Sequence, residues 1–116
     1  MNINGTELTF DIWDADTLDQ YNEEVAKLNE AIRDIGNELS AGDNLRAQCA
    51  IVNAFFDGMF GEGTAEKLFC GKNNLRVHLD AFALLIEEAK QQKDDYSEIA
   101  AKYVPNRAQR RSKNGK

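Results

Sequence analysis

Asn53-Ala-Phe-Phe-Asp-Gly-Met-Phe-Gly-Glu-Gly-Thr-Ala-Glu-Lys-Leu-Phe69 gathers four of the chain's six phenylalanines (Phe55, Phe56, Phe60 and Phe69) together with Met59, and a Gly-Glu-Gly-Thr break interrupts it. Helical sequence on either side can fold back onto this aromatic cluster, so the fold turns on how the stretch is read. Leu45, Cys49, Val52, Phe56, Met59 and Phe60 share one side of a helix, and Ile51 and Phe55 widen its apolar face. A face that broad predicts the most buried helix of the molecule. Ser40-Ala41-Gly42-Asp43 reads as the loop before it, with a cap at Asp43. Gly61 is placed to stop it in the left-handed conformation. Thr64 then caps a short helix, Ala65–Phe69, that ends at Gly71.

Upstream, Leu18, Tyr21, Val25, Leu28, Ile32, Ile35 and Leu39 recur at alternating spacings of 3 and 4, a heptad seam over three repeats. A long amphipathic helix follows, capped by Asp16 or Thr17 and weakening or ending at Gly36. Such a seam suits a helix packed in its own bundle, or an intermolecular coiled coil. Before it, Asn4-Gly5 signals a tight turn, and Leu8, Phe10 and Ile12 alternate with polar neighbours. A β-strand over 3–12, half of a small hairpin with a very short first arm, fits this stretch. A lone hairpin is marginal in water, so it must pack on a helix or pair with another chain's edge.

Downstream, Asn73 or Asn74 caps a third pattern: Leu75, Leu79, Phe82, Ile86 and Ala89, then Tyr96, Ile99, Ala100 and Tyr103. The polar stretch Lys90–Asp95 interrupts it, but the phase survives with Lys93 in an apolar slot. One long helix with an exposed waist is therefore expected, ended by Pro105, which pushes Val104 out of the helical region. The fold class is mostly α: a bundle of three to four helices, a short N-terminal strand or hairpin, and a disordered basic tail. Residues 1–105 read as a single helical domain and 106–116 as a flexible tail.

The charge is uneven. Of 14 basic and 20 acidic residues, five basic ones (Arg107, Arg110, Arg111, Lys113 and Lys116) fall in 106–116, which leaves 9 − 20 = −11 for the rest. An acidic body with a basic tail repels nucleic acid, and no aromatic residue interleaves with the arginines to stack on bases. A regulator binding nucleic acid through that tail is the least favoured reading, since five cations give only salt-sensitive contact. No apolar run is long enough to span a bilayer, and MNINGTEL carries neither the basic nor the apolar region of a secretory signal.

Catalytic chemistry finds few residues to use. His78 is the one histidine and Cys49 and Cys70 the two cysteines, so zinc-type spacing is absent and no metal or other cofactor is expected. Both thiols read as reduced, buried small hydrophobes. His78 reads as a partly buried core histidine unless a thiol lies beside it. The Gly-Glu-Gly turn lacks the Gly-Lys-Ser/Thr of a phosphate loop, and Asp57 with Glu62 offers too few oxygens for calcium. It reads as a corner between helices, and an enzyme is not expected.

Three landmarks read together: Ile3-Asn4-Gly5 with Leu8 and Phe10-Asp11; Phe55-Phe56-Asp57 with Phe60-Gly61-Glu62-Gly63-Thr64; and Pro105-Asn106-Arg107-Ala108-Gln109-Arg110-Arg111. In that order, over nearly the full length, the chain resembles a family of small proteins from phages and prophages of Gram-positive bacteria. These are similar in position and size to tail assembly chaperones, encoded near the tail-tube and tape-measure genes. The resemblance implies a non-enzymatic, multimeric protein of the host cytoplasm that shields tape-measure helices until the tail tube polymerises. A structural tail or connector component is the alternative. The expected partner-binding residues are Phe55, Phe56, Met59 and Phe60 for tape-measure helices, with Arg107, Arg110 and Arg111 steering toward or contacting the tail tube.

Overall fold

The computed structural model describes residues 1–103. Its elements are strands β1 (Asn2–Ile3) and β2 (Thr6–Glu7), then helices α1 (Ala15–Arg33), α2 (Ala41–Phe60), α3 (Thr64–Phe69) and α4 (Leu75–Tyr103). The expected class holds for these residues: mostly helical, four helices, and an N-terminal hairpin. Val104, Pro105 and the basic segment 106–116, with Arg107, Arg110 and Arg111, lie outside the described residues.

The hairpin is shorter than the alternation suggests. β1 and β2 pair antiparallel as Asn2 with Glu7 and Ile3 with Thr6, across a turn in which Asn4 and Gly5 both take positive φ (51° and 84°). Two successive positive φ values are what a two-residue hairpin turn needs, and Asn-Gly supplies them at low cost. Beyond Glu7 the chain leaves the ladder, yet Leu8, Phe10 and Ile12 are all buried. The alternation marked burial rather than pairing. The hairpin packs on its own molecule: Ile3 is fully buried, and the Asn4 side-chain amide donates to Leu68 O at 3.2 Å.

Each long helix starts at a cap of the expected chemistry, two of them at a different residue from the one expected. Asp14, not Asp16 or Thr17, caps α1 by accepting from Thr17 N at 3.0 Å. Ser40, not Asp43, caps α2 by accepting from Asp43 N at 3.1 Å, so Ala41 and Gly42 are already helical. Asn74 caps α4, accepting from Val77 N at 3.2 Å. An oxygen-bearing side chain recurs within a few residues at each start, and the backbone direction chooses among them. α1 stops at Arg33, so Ile35 and Leu39 of the heptad seam fall in the α1–α2 connector.

Gly61 ends α2 with φ 108° and ψ 153°, a conformation open to glycine but outside the left-handed helical region expected. Gly63 supplies the left-handed turn instead, and Thr64 is the first residue of α3, its hydroxyl donating to Gly61 O at 2.7 Å. Asp57 of α2 caps α3 from outside, accepting from Ala65 N at 2.9 Å. Asp57 therefore holds the corner together, where one helix's carboxylate meets the next helix's free amide. At the far end of α3, Cys70 itself is left-handed (φ 53°) and Gly71 follows at 73°.

α1, α3 and α4 all pack on α2, and the buried residues form one cluster. Phe55 and Phe56, adjacent in sequence, lie edge-on to one another at 5.5 Å and divide the work. Phe55 meets Phe82 of α4 at 5.0 Å, and Phe56 meets Phe69 of α3 at 5.8 Å. Phe10 of the N-terminal segment sits between Tyr21 of α1 and Phe60 of α2, at 5.5 and 6.2 Å. α1 crosses α2 closely at Gly58, whose carbonyl accepts from the Gln20 amide, and a Cβ there would overlap the Glu24 carboxylate.

α4 is one unbroken helix, as expected, but its core face differs. His78, Ala81, Leu85 and Ala89 are buried, whereas Leu79 is exposed and Leu75, Phe82 and Ile86 are half-buried. The inward face is set by contacts with α2, where His78 bonds Asn53, while Phe82 reaches Phe55 from the flank. The polar waist is also an anchor. Gln92 Nε2 donates to Phe10 O at 2.8 Å while its Oε1 accepts from Ile12 N at 2.8 Å, pinning the N-terminal segment to α4. Lys93, in its apolar slot, holds its ammonium 5.8 Å from the centre of the Tyr21 ring, within cation–π range.

Phe56→Ala is expected to cost about 3–5 kcal/mol in chemical denaturation, and Leu79→Ala within about 0.5 kcal/mol of zero. Gly58→Ala, whose Cβ meets only the carboxylate end of the flexible Glu24 side chain, should leave stability within about 1 kcal/mol of wild type in the same measurement, because the helix-propensity gain of alanine offsets the displacement of that carboxylate.

Candidate protein-binding surface

The aromatic stretch and the surface are separate. Phe55, Phe56 and Met59 are buried, and of the four phenylalanine and methionine candidates only Phe60 is half-buried. As folded, Phe55 and Phe56 present no area to a partner. The break at Gly61–Gly63 turns α3 back over Phe56, and α4 covers Phe55.

Apolar area instead lies on α4. Leu79 is 46% exposed, with Leu75, Phe82 and Ile86 half-buried beside it, and Val77 and Leu84, 40% and 50% exposed, lie seven residues apart on the opposite flank of the helix. Leu75, Leu79, Phe82 and Ile86 recur at spacings of 4, 3 and 4, which lines them along one flank of the helix. The sequence spacing found this stripe and assigned it to the core. Its Phe82 edge reaches Phe55 of α2, while Leu79, farther round the helix, is left uncovered among the described residues.

A second apolar surface lies where α4 passes the start of α1. Trp13 packs edge-on to Tyr96 at 5.7 Å and its indole Nε1 donates to Gln92 O at 3.2 Å. With Ile12, Leu18 and Lys93 these residues line a groove of about 580 Å³. Trp13 and Tyr96 are nevertheless large and exposed, at 47% and 60%. Nothing in the spacing of Trp13 announced this, because the residue lies in a connector without periodicity.

His78 is more buried than expected and its hydrogen bonding is complete. Its ring stacks on Phe69 at 3.8 Å. Nδ1 donates to Asn74 O at 2.7 Å, and Nε2 faces the Asn53 side-chain amide at 3.0 Å. Both nitrogens are thus committed, to Asn74 and Asn53, and neither to a cysteine. Cys49 is buried, and burial pushes its thiol pKa up, while Cys70 is exposed at the left-handed end of α3, contrary to expectation. Among the described residues no group of three or more His, Cys, Asp or Glu side chains is placed to hold a metal ion, and no helix is long and apolar enough to cross a membrane.

A family model described as a family of unknown function (DUF6673) matches residues 4–114. No curated protein and no solved structure matches the chain.

The two thiols should separate cleanly. In native protein Ellman's reagent is expected to titrate Cys70 within minutes and Cys49 only on unfolding. Because burial raises the folded-state pKa of Cys49, the folded protein holds that proton more tightly than the unfolded chain. Stability should therefore fall as pH rises past the ordinary thiol pKa, and Cys49→Ala should flatten that alkaline slope.

Proposed function

The chain belongs to the DUF6673 family, a family of unknown function; from the tail-module resemblance of its sequence and the exposed apolar flank of α4, we propose that it is a phage tail morphogenesis factor of the assembly-chaperone kind. In this reading it acts without catalysis, in the host cytoplasm, by holding an apolar helix of the tape-measure protein until tail-tube subunits replace it. The observation that supports it is the apolar flank of α4, on which Leu79 is 46% exposed between half-buried Leu75, Phe82 and Ile86. Helix-in-groove recognition uses such residues at spacings of 3 and 4 to anchor a partner's apolar face. A few central anchors then supply most of the binding energy. The flank Leu75–Ile86 suits that role, with Leu79 at its most exposed point.

The acidic body supports the same reading in a second way. A net −11 outside the basic segment keeps copies of the body soluble around an aggregation-prone partner. Arg107, Arg110 and Arg111, outside the described residues, keep their proposed role toward the tail tube.

Co-expression with the tape-measure protein, affinity capture and light scattering test the proposal. The wild-type chain is expected to keep the tape measure soluble in a complex with several copies bound. Leu79→Glu, at a position whose exposure preserves the fold, should weaken capture by about 2 kcal/mol. A wild-type chain that stays apart from insoluble tape measure would refute the proposal. Mass spectrometry of finished particles then separates a chaperone, expected to be absent, from a retained tail or connector component.

A further inference from the structure

The core stripe of each long helix runs on past the point where its neighbours stop, and it does so at opposite ends of the body. On α1 the seam Tyr21, Val25, Leu28 continues to Ile32, 43% exposed, and on α2 the face of Cys49, Val52 and Phe56 begins at Leu45, 45% exposed. α1 and α2 are antiparallel, since Gln20 reaches Gly58 while Ile35 lies beside Ala47. Ile32 and Leu45 therefore lie at one end. On α4 the stripe His78, Ala81, Leu85, Ala89 continues through Tyr96, Ile99 and Tyr103, and Tyr103 is 78% exposed. α4 runs in the direction of α2, because His78 lies beside Asn53 and Phe82 beside Phe55. Its overhang is at the other end.

One end of the molecule thus has two helices without a third, and the other has a third helix without its two. The overhangs match in length: beyond Tyr96, which packs on Trp13, residues 97–103 of α4 span about 10 Å, and residues 41–48 of α2 about 12 Å. We infer that the chain assembles head to tail, the α4 overhang of one copy lying on the α1–α2 end of a second copy. Tyr96, Ile99 and Tyr103 would there cover Ile32 and Leu45, continuing the line that the second copy's own α4 begins at Leu75. The connector of that second copy, with Ile35 and exposed Leu39, would meet the groove between Trp13 and Tyr96.

Charge favours a second copy as the occupant. The basic segment with its five cations follows the overhang directly, and the rest of the chain carries 9 − 20 = −11. At the α1–α2 end Asp34, Glu38 and Asp43 outnumber Arg33 and Arg46, and Arg46 is already bridged to Asp43 at 2.9 Å. Residues 93–103 of α4 themselves carry Asp94, Asp95 and Glu98 against Lys93 and Lys102, so the complementary charge is that of the sequence 106–116. A heterologous contact of this kind is not self-limiting, so it builds rings or filaments. The inference does not depend on what the α4 flank binds.

Two single substitutions on the full chain test it, Ile99→Glu on the overhang and Leu45→Glu on the α1–α2 end, both at exposed positions and checked for fold by circular dichroism. By light scattering the wild type is expected to form concentration-dependent oligomers that weaken as salt is raised. Each variant alone should stay monomeric, with self-association weakened at least about tenfold. Mixed together, they should form a complex of one copy of each and nothing larger, because Leu45→Glu retains an intact overhang and Ile99→Glu an intact α1–α2 end. A monomeric wild type would overturn the inference. So would variants that each still self-associate, which marks a two-fold contact, or a mixture that forms no complex.

Discussion

The arrangement depends on Phe55 and Phe56 being buried side by side in the middle of α2. Neighbouring residues on a helix point about 100° apart, so two adjacent phenylalanines commit α2 to neighbours on two sides at once. Phe55 serves α4 through Phe82, and Phe56 serves α3 through Phe69. Phe60, one turn on from Phe56 and stacked with it at 6.2 Å, extends the cluster to Phe10 and the N-terminal segment. α2 is thereby a spine on which the other elements are hung, and α1 and α4 need not meet extensively.

Polar contacts set the register that this apolar spine leaves open. Asp57 accepts from the Ala65 amide in the first turn of α3 and fixes the corner. Gln92 clasps the backbone of Phe10 and Ile12 and fixes how far α4 travels past the start of α1. His78 uses both ring nitrogens, on Asn74 and Asn53, and so fixes where α4 begins along α2. Buried polar groups leave little tolerance for slippage, because a displaced donor or acceptor costs more than its bond contributes. Among the described residues no buried side-chain nitrogen or oxygen is left without a partner.

That register has a consequence for function. Pinning His78 near the middle of α2 and Gln92 beyond its end makes the helices staggered rather than flush. A staggered bundle of amphipathic helices leaves apolar residues uncovered at its ends and along the flank of its longest member. The same feature that makes the monomer incomplete as a bundle equips it to hold another helix, its own kind or a partner's.

By itself the sequence determined the elements and most of the core. The heptad spacing of Leu18–Leu28, the phenylalanine cluster, the Asn4-Gly5 turn, the glycine break at 61–63 and the unbroken phase through Lys93 are local signals, set by periodicity and by which residues tolerate positive φ. The cap positions were legible to within a few residues. Tertiary structure alone decided which face of α4 turns inward: Leu75, Leu79, Phe82 and Ile86 carry the stronger hydrophobic signal, but the His78, Ala81, Leu85 and Ala89 face is the buried one, with His78 bonded to Asn53 of α2. It also decided that Phe55 and Phe56 are scaffold and that the exposed apolar surface lies on α4, at Leu45 and Ile32, and at Trp13. Periodicity states that a helix has an apolar side. Which part of that side is covered depends on where the neighbouring helices end, and that was set by Asn53 with His78 and by Gln92 with Phe10 and Ile12, contacts between residues far apart in the chain.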